Sequence, residues 1–315
     1  MGVSLVRNGP FGRWAVILLV LASPYLTVGC GSLSQFFIPG LLVGMMRDID
    51  IKYACLIVGA AFISAALLLL KVAAAGNVIL LVQILGCAIL LLFARSKVWS
   101  GPKTFLACLI YFLLYVVSVM AVGSNGNLFF AYSEAKRAVI NDLEQAASLY
   151  NNTHRPEFEA LLNQFKTIVA NFLPSLVGLS FLTASLVNVF IGARLIHKGH
   201  PQKGVFGPEF PMWKMPDHLV WLGILAGALA LFGQGWYVVC AENCLLFIGG
   251  IYFVQGLSVM SFFFKVFNTP AFIKWPVIFL LTVQWYGILT VATIGLFDVW
   301  FDFRSKATMT PPRGV

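Results

Sequence analysis

The sequence contains little charge. Only 10% of its 315 residues are Asp, Glu, Lys or Arg, and 12 of them are acidic, whereas a soluble domain carries about 25% charged residues. This shortage excludes an intrinsically disordered chain, because disorder needs high charge and low hydrophobicity. The net charge of +9 is not arranged as a basic stripe with interleaved aromatic residues, so we expect no nucleic-acid partner.

Catalytic and metal-binding signatures are also missing. The sequence has no His-Glu-x-x-His, Gly-x-Ser-x-Gly or Walker motif, which are typical of zinc proteases, hydrolases and nucleotide-binding proteins. Cys240 and Cys244 are four residues apart, but no third Cys or His lies near them, as a metal site would need. The sequence therefore predicts no catalytic residues, no metal site, no cofactor and no enzymatic activity.

Apolar residues dominate the composition. They make up 60% of the chain, with a mean hydropathy of +0.89. A helix needs about 20 apolar residues to cross a bilayer. Eight stretches contain no charged residue, namely 14–46, 53–70, 72–94, 104–133, 167–193, 219–241, 243–264 and 275–297. The sequence therefore predicts an all-α, polytopic helical bundle embedded in the lipid bilayer.

The first uncharged stretch is too long for one span. Its 33 residues include Pro24, Gly29, Gly31 and Pro39, which interrupt helices. We therefore interpret it as a hairpin of two spans, near 14–29 and 33–46, which brings the predicted total to about nine.

Loop charges predict the orientation. With nine spans and the N-terminus inside, the inner loops carry 13 Lys and Arg and the outer segments carry eight. Positive charge collects on the cytoplasmic side, so this tally favours an inside N-terminus and an outside C-terminus. A re-entrant last segment would instead place the basic tail residues Arg304, Lys306 and Arg313 inside.

The largest segment predicted outside the bilayer is 125–166. From Tyr132 to Tyr150, apolar residues recur at helical spacing, which predicts an amphipathic helix. A second helix is predicted after Pro156 and continues into the next span. The pair would form an external helical hairpin that gates a cavity, docks a partner or serves as a spacer. We predict two domains: a six-span bundle at 1–200, which includes this hairpin, and a three-span bundle at 201–315.

Uncharged polar residues within the spans are the candidate ligand-binding residues. They are Asn171 and Ser175 in 167–193, Gln255 in 243–264 and Tyr286 in 275–297. Polar groups in a membrane face the bundle or a cavity, so we predict that these four face a shared interior. Helix–helix hydrogen bonding and ligand binding both explain such residues.

Two groups of charged residues lie at predicted span ends. Glu242 separates two uncharged stretches and precedes Asn243. It would either stabilise the start of a helix near Asn243 or bind a cation or proton together with that amide. Asp298 and Asp302 are four residues apart, with Arg304 nearby; these three predict an interfacial salt-bridge cluster.

Linked motifs in the C-terminal third resemble a known family. They are Phe210-x-x-Trp213-x-x-Pro216, Asn243, the run from Tyr252 to Val259, and Gly295-Leu296-Phe297-Asp298-x-Trp300-x-Asp302-Phe303-Arg304. This pattern resembles the YybS-like family of predicted bacterial inner-membrane proteins. That family is distantly similar to the S components of energy-coupling-factor vitamin transporters. The resemblance implies a location in the bacterial cytoplasmic membrane and a six-span plan in the N-terminal part.

Two functions are expected from these observations. The polar residues and the resemblance favour a small-molecule-binding or transport-related membrane protein. The lack of intramembrane charge favours the alternative, a non-transporting scaffold or assembly factor with a membrane-protein partner. An apolar cavity of a few hundred Å³ with convergent polar groups would distinguish the first function from the second.

Overall fold

The computed structural model describes residues 22–27, 30–47, 49–71, 75–150, 156–197, 206 and 209–309. All regular structure in these ranges is helical, in agreement with the predicted all-α class. The beginning of the predicted 14–29 span and the end of the C-terminal tail lie outside the described residues.

Twelve helical segments are numbered along these ranges. The first, α1, includes residues 22–27, and a short 3-10 helix follows at Gly31–Phe36. The others are α2 (Ile38–Met45), α3 (Ile51–Lys71), α4 (Ala75–Ser96), α5 (Gly101–Gly123), α6 (Leu128–Tyr150), α7 (Pro156–His197), α8 (Leu219–Phe232), α9 (Trp236–Val266), α10 (Ala271–Val283), α11 (Trp285–Phe301) and α12 (Phe303–Met309).

Contacts divide the chain into two compact units. Unit 1 comprises residues 1–119 and 181–208, and unit 2 comprises residues 120–180 and 209–315. The helices α5 and α7 each contribute residues to both units. The predicted domain boundary near residue 200 was based on the order of the spans along the sequence. The division by contacts does not test it, so it stays a prediction.

Fewer helices than predicted are long and apolar enough to cross a membrane. Four qualify in the described residues, within α4, α5, α7 and α9, and a fifth is counted if α10 and α11 form one broken span. The predicted count of about nine is therefore not confirmed. The predicted 33–46 span is divided at Phe37, and α2, with Pro39 in its first turn, has only eight residues. At about 1.5 Å per residue, a helix of that length is too short to cross.

The boundary between α8 and α9 differs from the prediction. Glu242 was expected to separate two spans, but α8 ends at Phe232 and α9 begins at Trp236. Gly235, with a φ of 65°, lies between them and supplies a backbone conformation that other residues rarely adopt. A charge alone does not end a helix, so Glu242 lies within the second turn of α9 rather than at its start.

The predicted 275–297 span is two helices. The axes of α10 and α11 differ by 105°, with the break at Gln284. The bend separates Thr282 from the polar residues of α11. The hydroxyls of Thr290 and Thr293 donate to the carbonyls of Tyr286 and Leu289 within α11 itself. These hydroxyls are therefore already hydrogen-bonded inside their own helix.

The predicted helical hairpin is present. The amphipathic segment forms α6, and the second helix begins at Pro156 and continues as the 42-residue α7. Lys166 of α7 forms a 2.8 Å ion pair with Glu144 of α6. The side of the membrane on which this hairpin lies stays a prediction.

Glycines allow close helix contacts in each unit. In unit 1, a Cβ on Gly40 would lie 3.0 Å from the Asn188 Cα and closer still to its carbonyl oxygen, so α2 and α7 approach backbone to backbone. In unit 2, a Cβ on Gly256 would overlap the Val291 carbonyl, and one on Gly295 would overlap the Tyr252 carbonyl. The helices α9 and α11 therefore also meet along their backbones. This contact positions the polar side chains described next.

Candidate functional site: a buried ion pair and a neighbouring cavity

A buried ion pair lies where α11 gives way to α12. Arg304 Nη2 donates a charge-assisted hydrogen bond to Asp298 Oδ2, and the two side chains are 4% and 0% exposed. Asp302 stands between them with a φ of 41°, so the chain turns out of the α-helical path after Phe301. This turn lets α12 bring the Arg304 guanidinium back to the carboxylate.

Arg304 also holds the segment that precedes α8. Its Nη1 donates to the Trp213 carbonyl at 2.7 Å and to the Pro211 carbonyl at 3.0 Å. Ser258 of α9 donates to the Phe210 carbonyl at 2.7 Å. The Arg304 cation therefore binds carbonyl groups of the segment before α8 and links this segment to α9 and α11.

Gln255 connects the ion pair to the same segment. Its Oε1 accepts a hydrogen bond from the Met215 backbone N–H at 3.1 Å, and its Nε2 donates to Asp298 Oδ2 at 3.2 Å. The other carboxylate oxygen, Asp298 Oδ1, is buried and has no hydrogen-bond partner among the residues that the structure describes. Because an ionised carboxylate only accepts hydrogen bonds, this oxygen can accept one from a donor group of a ligand.

A second ion pair lies at the surface of the same region. Lys214 and Asp302 are 2.8 Å apart, and both side chains are about half exposed. The hydrogen bond from Lys214 lowers the pKa of Asp302. The predicted salt-bridge cluster of Asp298, Asp302 and Arg304 is therefore confirmed as ion pairing. It is not a single interfacial cluster, because Asp298 is buried with Arg304 whereas Asp302 pairs with Lys214.

Asn243 repairs a break in α7. Pro174 lies inside this helix, where it distorts the normal hydrogen-bond ladder. The Asn243 side chain accepts from the Ser175 backbone N–H at 3.1 Å and donates to the Asn171 carbonyl at 2.8 Å. Three predicted site residues are therefore brought together, but Asn171 and Ser175 take part through their backbones.

Tyr132 completes this repair. Proline has no N–H, so Pro174 cannot donate to the Ala170 carbonyl as a helical residue would. The Tyr132 hydroxyl of α6 donates to that carbonyl instead, at 3.2 Å. We call these four groups, from Tyr132, Asn171, Ser175 and Asn243, the Pro174 junction. Burial raises the pKa of Tyr132, and the nearby Cys240 adds to this effect, so the phenol keeps the proton that it donates.

The six predicted ligand-binding residues do not form one site. Gln255 is 12 residues beyond Asn243 on α9, or about 18 Å along the axis, and belongs to the ion-pair region. Glu242 is partly buried beside Asn243. Tyr286 follows the bend at the start of α11 and is 53% exposed. The structure therefore places Gln255 and Tyr286 away from the contact that joins Asn171, Ser175 and Asn243, and the ligand-binding role of all six residues stays a prediction.

Asp298, Ser258 and Arg304 were not predicted as site residues from the sequence. A usable signal existed, because the linked motifs that carry the family resemblance contain all of them together with Gln255 and Trp213. These motifs are distant in sequence and converge on one ion pair in unit 2.

An apolar cavity of about 270 Å³ lies in unit 2 between α8, α9 and α11. Its lining includes Val220, Gly223, Gly249, Tyr252 and Leu296. The Tyr252 side chain is 2% exposed, and its hydroxyl has no hydrogen-bond partner within the described ranges. Tyr252 precedes Gln255 by one turn of α9, so the cavity and the ion pair are neighbours.

Metal binding finds no support in the described part of the chain. It holds no group of three or more His, Cys, Asp or Glu side chains that could bind a metal ion. Cys240 and Cys244 are both free thiols.

Comparison with known protein families gives one decisive match. Residues 14–299 match the family described as predicted membrane protein (DUF2232). The chain belongs to this family. The match includes the buried carboxylate Asp298, all of α8 and α9, and α11 as far as residue 299, so it covers the cavity lining except Trp300. Comparisons with curated proteins and with solved structures find no match.

Proposed function

We propose that this integral membrane protein binds a small polar molecule or ion, in a transport-related role, at the Asp298–Arg304 ion pair. The observation that carries the proposal is the buried Asp298 Oδ1, which has no hydrogen-bond donor in the part of the chain described. Burying an unpaired polar atom costs free energy. A ligand that donates a hydrogen bond to this oxygen would recover that cost.

Two nearly fully buried ionisable groups support this proposal. Burying a charge costs free energy unless it is paired, and such groups cluster at functional sites. Asp298 and Arg304 are nearly fully buried, and Gln255 and Ser258 supply further polar groups around them. The resemblance to the YybS-like family and to S components points in the same direction. It also supports the proposed location in the bacterial cytoplasmic membrane. The proposed inside N-terminus is supported by the loop charges, and the proposal of no enzymatic activity is supported by the missing catalytic motifs.

The alternative is a non-transporting scaffold, and one observation favours it. Arg304, Ser258 and Gln255 all bond to backbone groups between Phe210 and Met215. Under this alternative, the ion pair holds the segment before α8 in place and has no ligand. The two functions therefore differ in whether Asp298 Oδ1 acquires a partner outside the chain.

Native mass spectrometry of the gently extracted protein tests the proposal. We expect a co-purifying small molecule whose removal lowers the melting temperature, because a ligand that binds only the folded state stabilises it. The double variant Asp298→Asn with Arg304→Gln removes both charges, which disrupts a buried pair less than removing one partner. We expect it to fold and to lose the molecule.

Asp302→Asn is the matched control, because it removes an exposed carboxylate four residues from Asp298 and should leave binding intact. Retention of the molecule by the double variant would contradict the proposed site. A wild-type protein without any co-purifying molecule, in which Asp298→Asn changes only stability, would favour the scaffold.

A further inference from the structure

The lining of the α8–α9–α11 cavity is almost entirely apolar. Tyr252 and Thr293 contribute the two hydroxyls of the lining. The Thr293 hydroxyl already donates to the Leu289 carbonyl, whereas the Tyr252 hydroxyl has no partner within the described ranges. No charged side chain is among the residues that line this space. The occupant must therefore be apolar over most of its length and needs one group that hydrogen-bonds to a phenol.

The size of the cavity limits the occupant further. Its volume is about 270 Å³, slightly below the usual range of about 300–1,000 Å³ for small-molecule sites. Gly249 helps to keep it open, because a Cβ placed there would have no atom within 4 Å. A space of this volume has room for part of one hydrocarbon chain but not for a drug-sized molecule.

The cavity opens towards an apolar surface. Three of its lining residues, Ile224, Leu289 and Trp300, are 51%, 61% and 55% exposed. In a membrane protein, exposed apolar side chains of this kind contact lipid chains rather than water. The occupant therefore enters sideways from the bilayer.

One end of the cavity has a polar border. Asp217 lies before α8 begins, three residues before the lining residue Val220, and Asp302 lies just after α11 ends, two residues after Trp300. Asp302 forms an ion pair with Lys214. Tyr252 is the last lining residue of α9 in chain order, as Trp300 is of α11. An apolar space with a hydroxyl and charges at one end matches the polarity profile of a lipid chain and its ester group.

We propose that the α8–α9–α11 cavity binds one hydrocarbon chain that ends in an ester or carboxyl group, whose oxygen accepts a hydrogen bond from the Tyr252 hydroxyl. A membrane phospholipid and a free fatty acid share this chemistry. The site does not depend on the ligand proposed for Asp298, and it is compatible with a transport role and with a scaffold role.

Photo-crosslinking of the full-length protein in nanodiscs tests this proposal. One arm uses palmitic acid with a diazirine in its chain, and the other uses phosphatidylethanolamine that carries the same acyl chain. Labelled peptides are located by mass spectrometry. We expect labelling to concentrate on the lining residues of α8, α9 and α11, and the arm with the stronger signal identifies the source of the chain.

Two variants and a matched control decide the outcome. Gly249→Leu fills the cavity, and we expect it to reduce labelling of the lining at least about tenfold, the effect of losing a buried apolar contact of this size. Gly227→Leu on α8 is the matched control. A Cβ at Gly227 would also have no atom within 4 Å, but Gly227 does not line the cavity. It should label like wild type.

Tyr252→Phe removes only the hydroxyl, and we expect labelling to fall about three- to tenfold, the value of one hydrogen bond. Because that hydroxyl has no partner within the described ranges, this variant should fold even if Gly249→Leu does not. Wild-type labelling spread evenly over the lipid-facing helices would overturn the proposal. Equal labelling of the lining in wild type and in both variants would also overturn it.

Discussion

In each unit, an asparagine side chain on a long helix hydrogen-bonds to backbone groups on both sides of a helix interruption, and we call this contact a repair. The two asparagines differ in how deeply they are buried. In unit 1, Asn188 accepts from the Gly40 N–H and donates to the Gln35 carbonyl and to the Ala184 carbonyl of its own helix. In unit 2, Asn243 makes the equivalent three bonds with Ser175, Asn171 and Val239.

The depth of burial separates the two repairs. Asn188 is fully buried, whereas Asn243 is half-buried. The break at Phe37 falls between two separate helices, whereas the break at Pro174 falls inside α7 and receives a further bond from Tyr132. An amide in a span can therefore complete a backbone ladder without any ligand, and a deeply buried amide should be harder to replace.

The largest effect is expected for Asn188→Ala. It leaves the Gly40 N–H and the Gln35 carbonyl without their buried partner, and we expect a loss of about 3 kcal/mol in the free energy of unfolding. Thermal unfolding in a mild detergent measures it. Ser185→Ala is the control, because its buried hydroxyl on the same helix has no partner among described atoms. If Asn188→Ala lost no more stability than Ser185→Ala, the result would contradict the stabilising role of the Asn188 hydrogen bonds in unit 1.

Gly40→Ala tests the close approach that the unit 1 repair requires. A Cβ would press on the Asn188 backbone, which cannot move as a flexible side chain can. We expect a loss of about 2 kcal/mol from overpacking. Gly59→Ala is the matched control on α3, since its Cβ would have no atom within 4 Å. Equal melting temperatures for the two variants would show that α2 and α7 do not need to approach this closely.

Much of the fold was predictable because it depends on local pattern. Apolar composition predicted helices, and the spacing of apolar residues predicted α6. The start of α9 was predicted at the wrong residue because the charge of Glu242 was taken as the end of a span. The chain instead turns at Gly235, which has a positive φ.

The site was less predictable than the helices. Asn171, Ser175 and Asn243 were recognised as polar residues at membrane depth, but their use as a backbone repair depends on tertiary contact with Pro174. The pairing of Asp298 with Arg304 depends on the left-handed turn at Asp302, which residue type alone does not indicate.

Asn243→Ala should reduce the free energy of unfolding by about 1–2 kcal/mol, less than Asn188→Ala. It removes two interhelical hydrogen bonds, each of which is weak on average in a membrane protein, at a half-buried site. A double-mutant cycle tests whether this cost depends on Pro174. In a Pro174→Ala background, α7 can rebuild its own ladder, so the same Asn243→Ala substitution should cost less than about 0.5 kcal/mol. The difference is read from thermal unfolding of the four proteins. Equal costs in both backgrounds would mean that Asn243 does not act through the Pro174 break.

Tyr132→Phe is expected to have the smallest effect, about 0.5–1 kcal/mol, because it removes one hydrogen bond, to the Ala170 carbonyl, at a partly exposed position. Burial raises the pKa of Tyr132, which also gives a signature in pH. The folded protein holds this proton more tightly than the unfolded chain does, so the stabilisation is complete below the unfolded pKa of about 10 and falls as the pH rises through the folded value.

The chain has nine tyrosines, so the informative quantity is the difference in stability between wild type and Tyr132→Phe from pH 8 to pH 11. That difference should shrink as the pH rises, because wild type alone loses this contribution. In the Pro174→Ala background, the Ala170 carbonyl regains a backbone donor and the difference should be small at every pH. A difference that is constant with pH in wild type and survives Pro174→Ala would show that Tyr132 stabilises unit 2 through packing rather than through the carbonyl freed by Pro174.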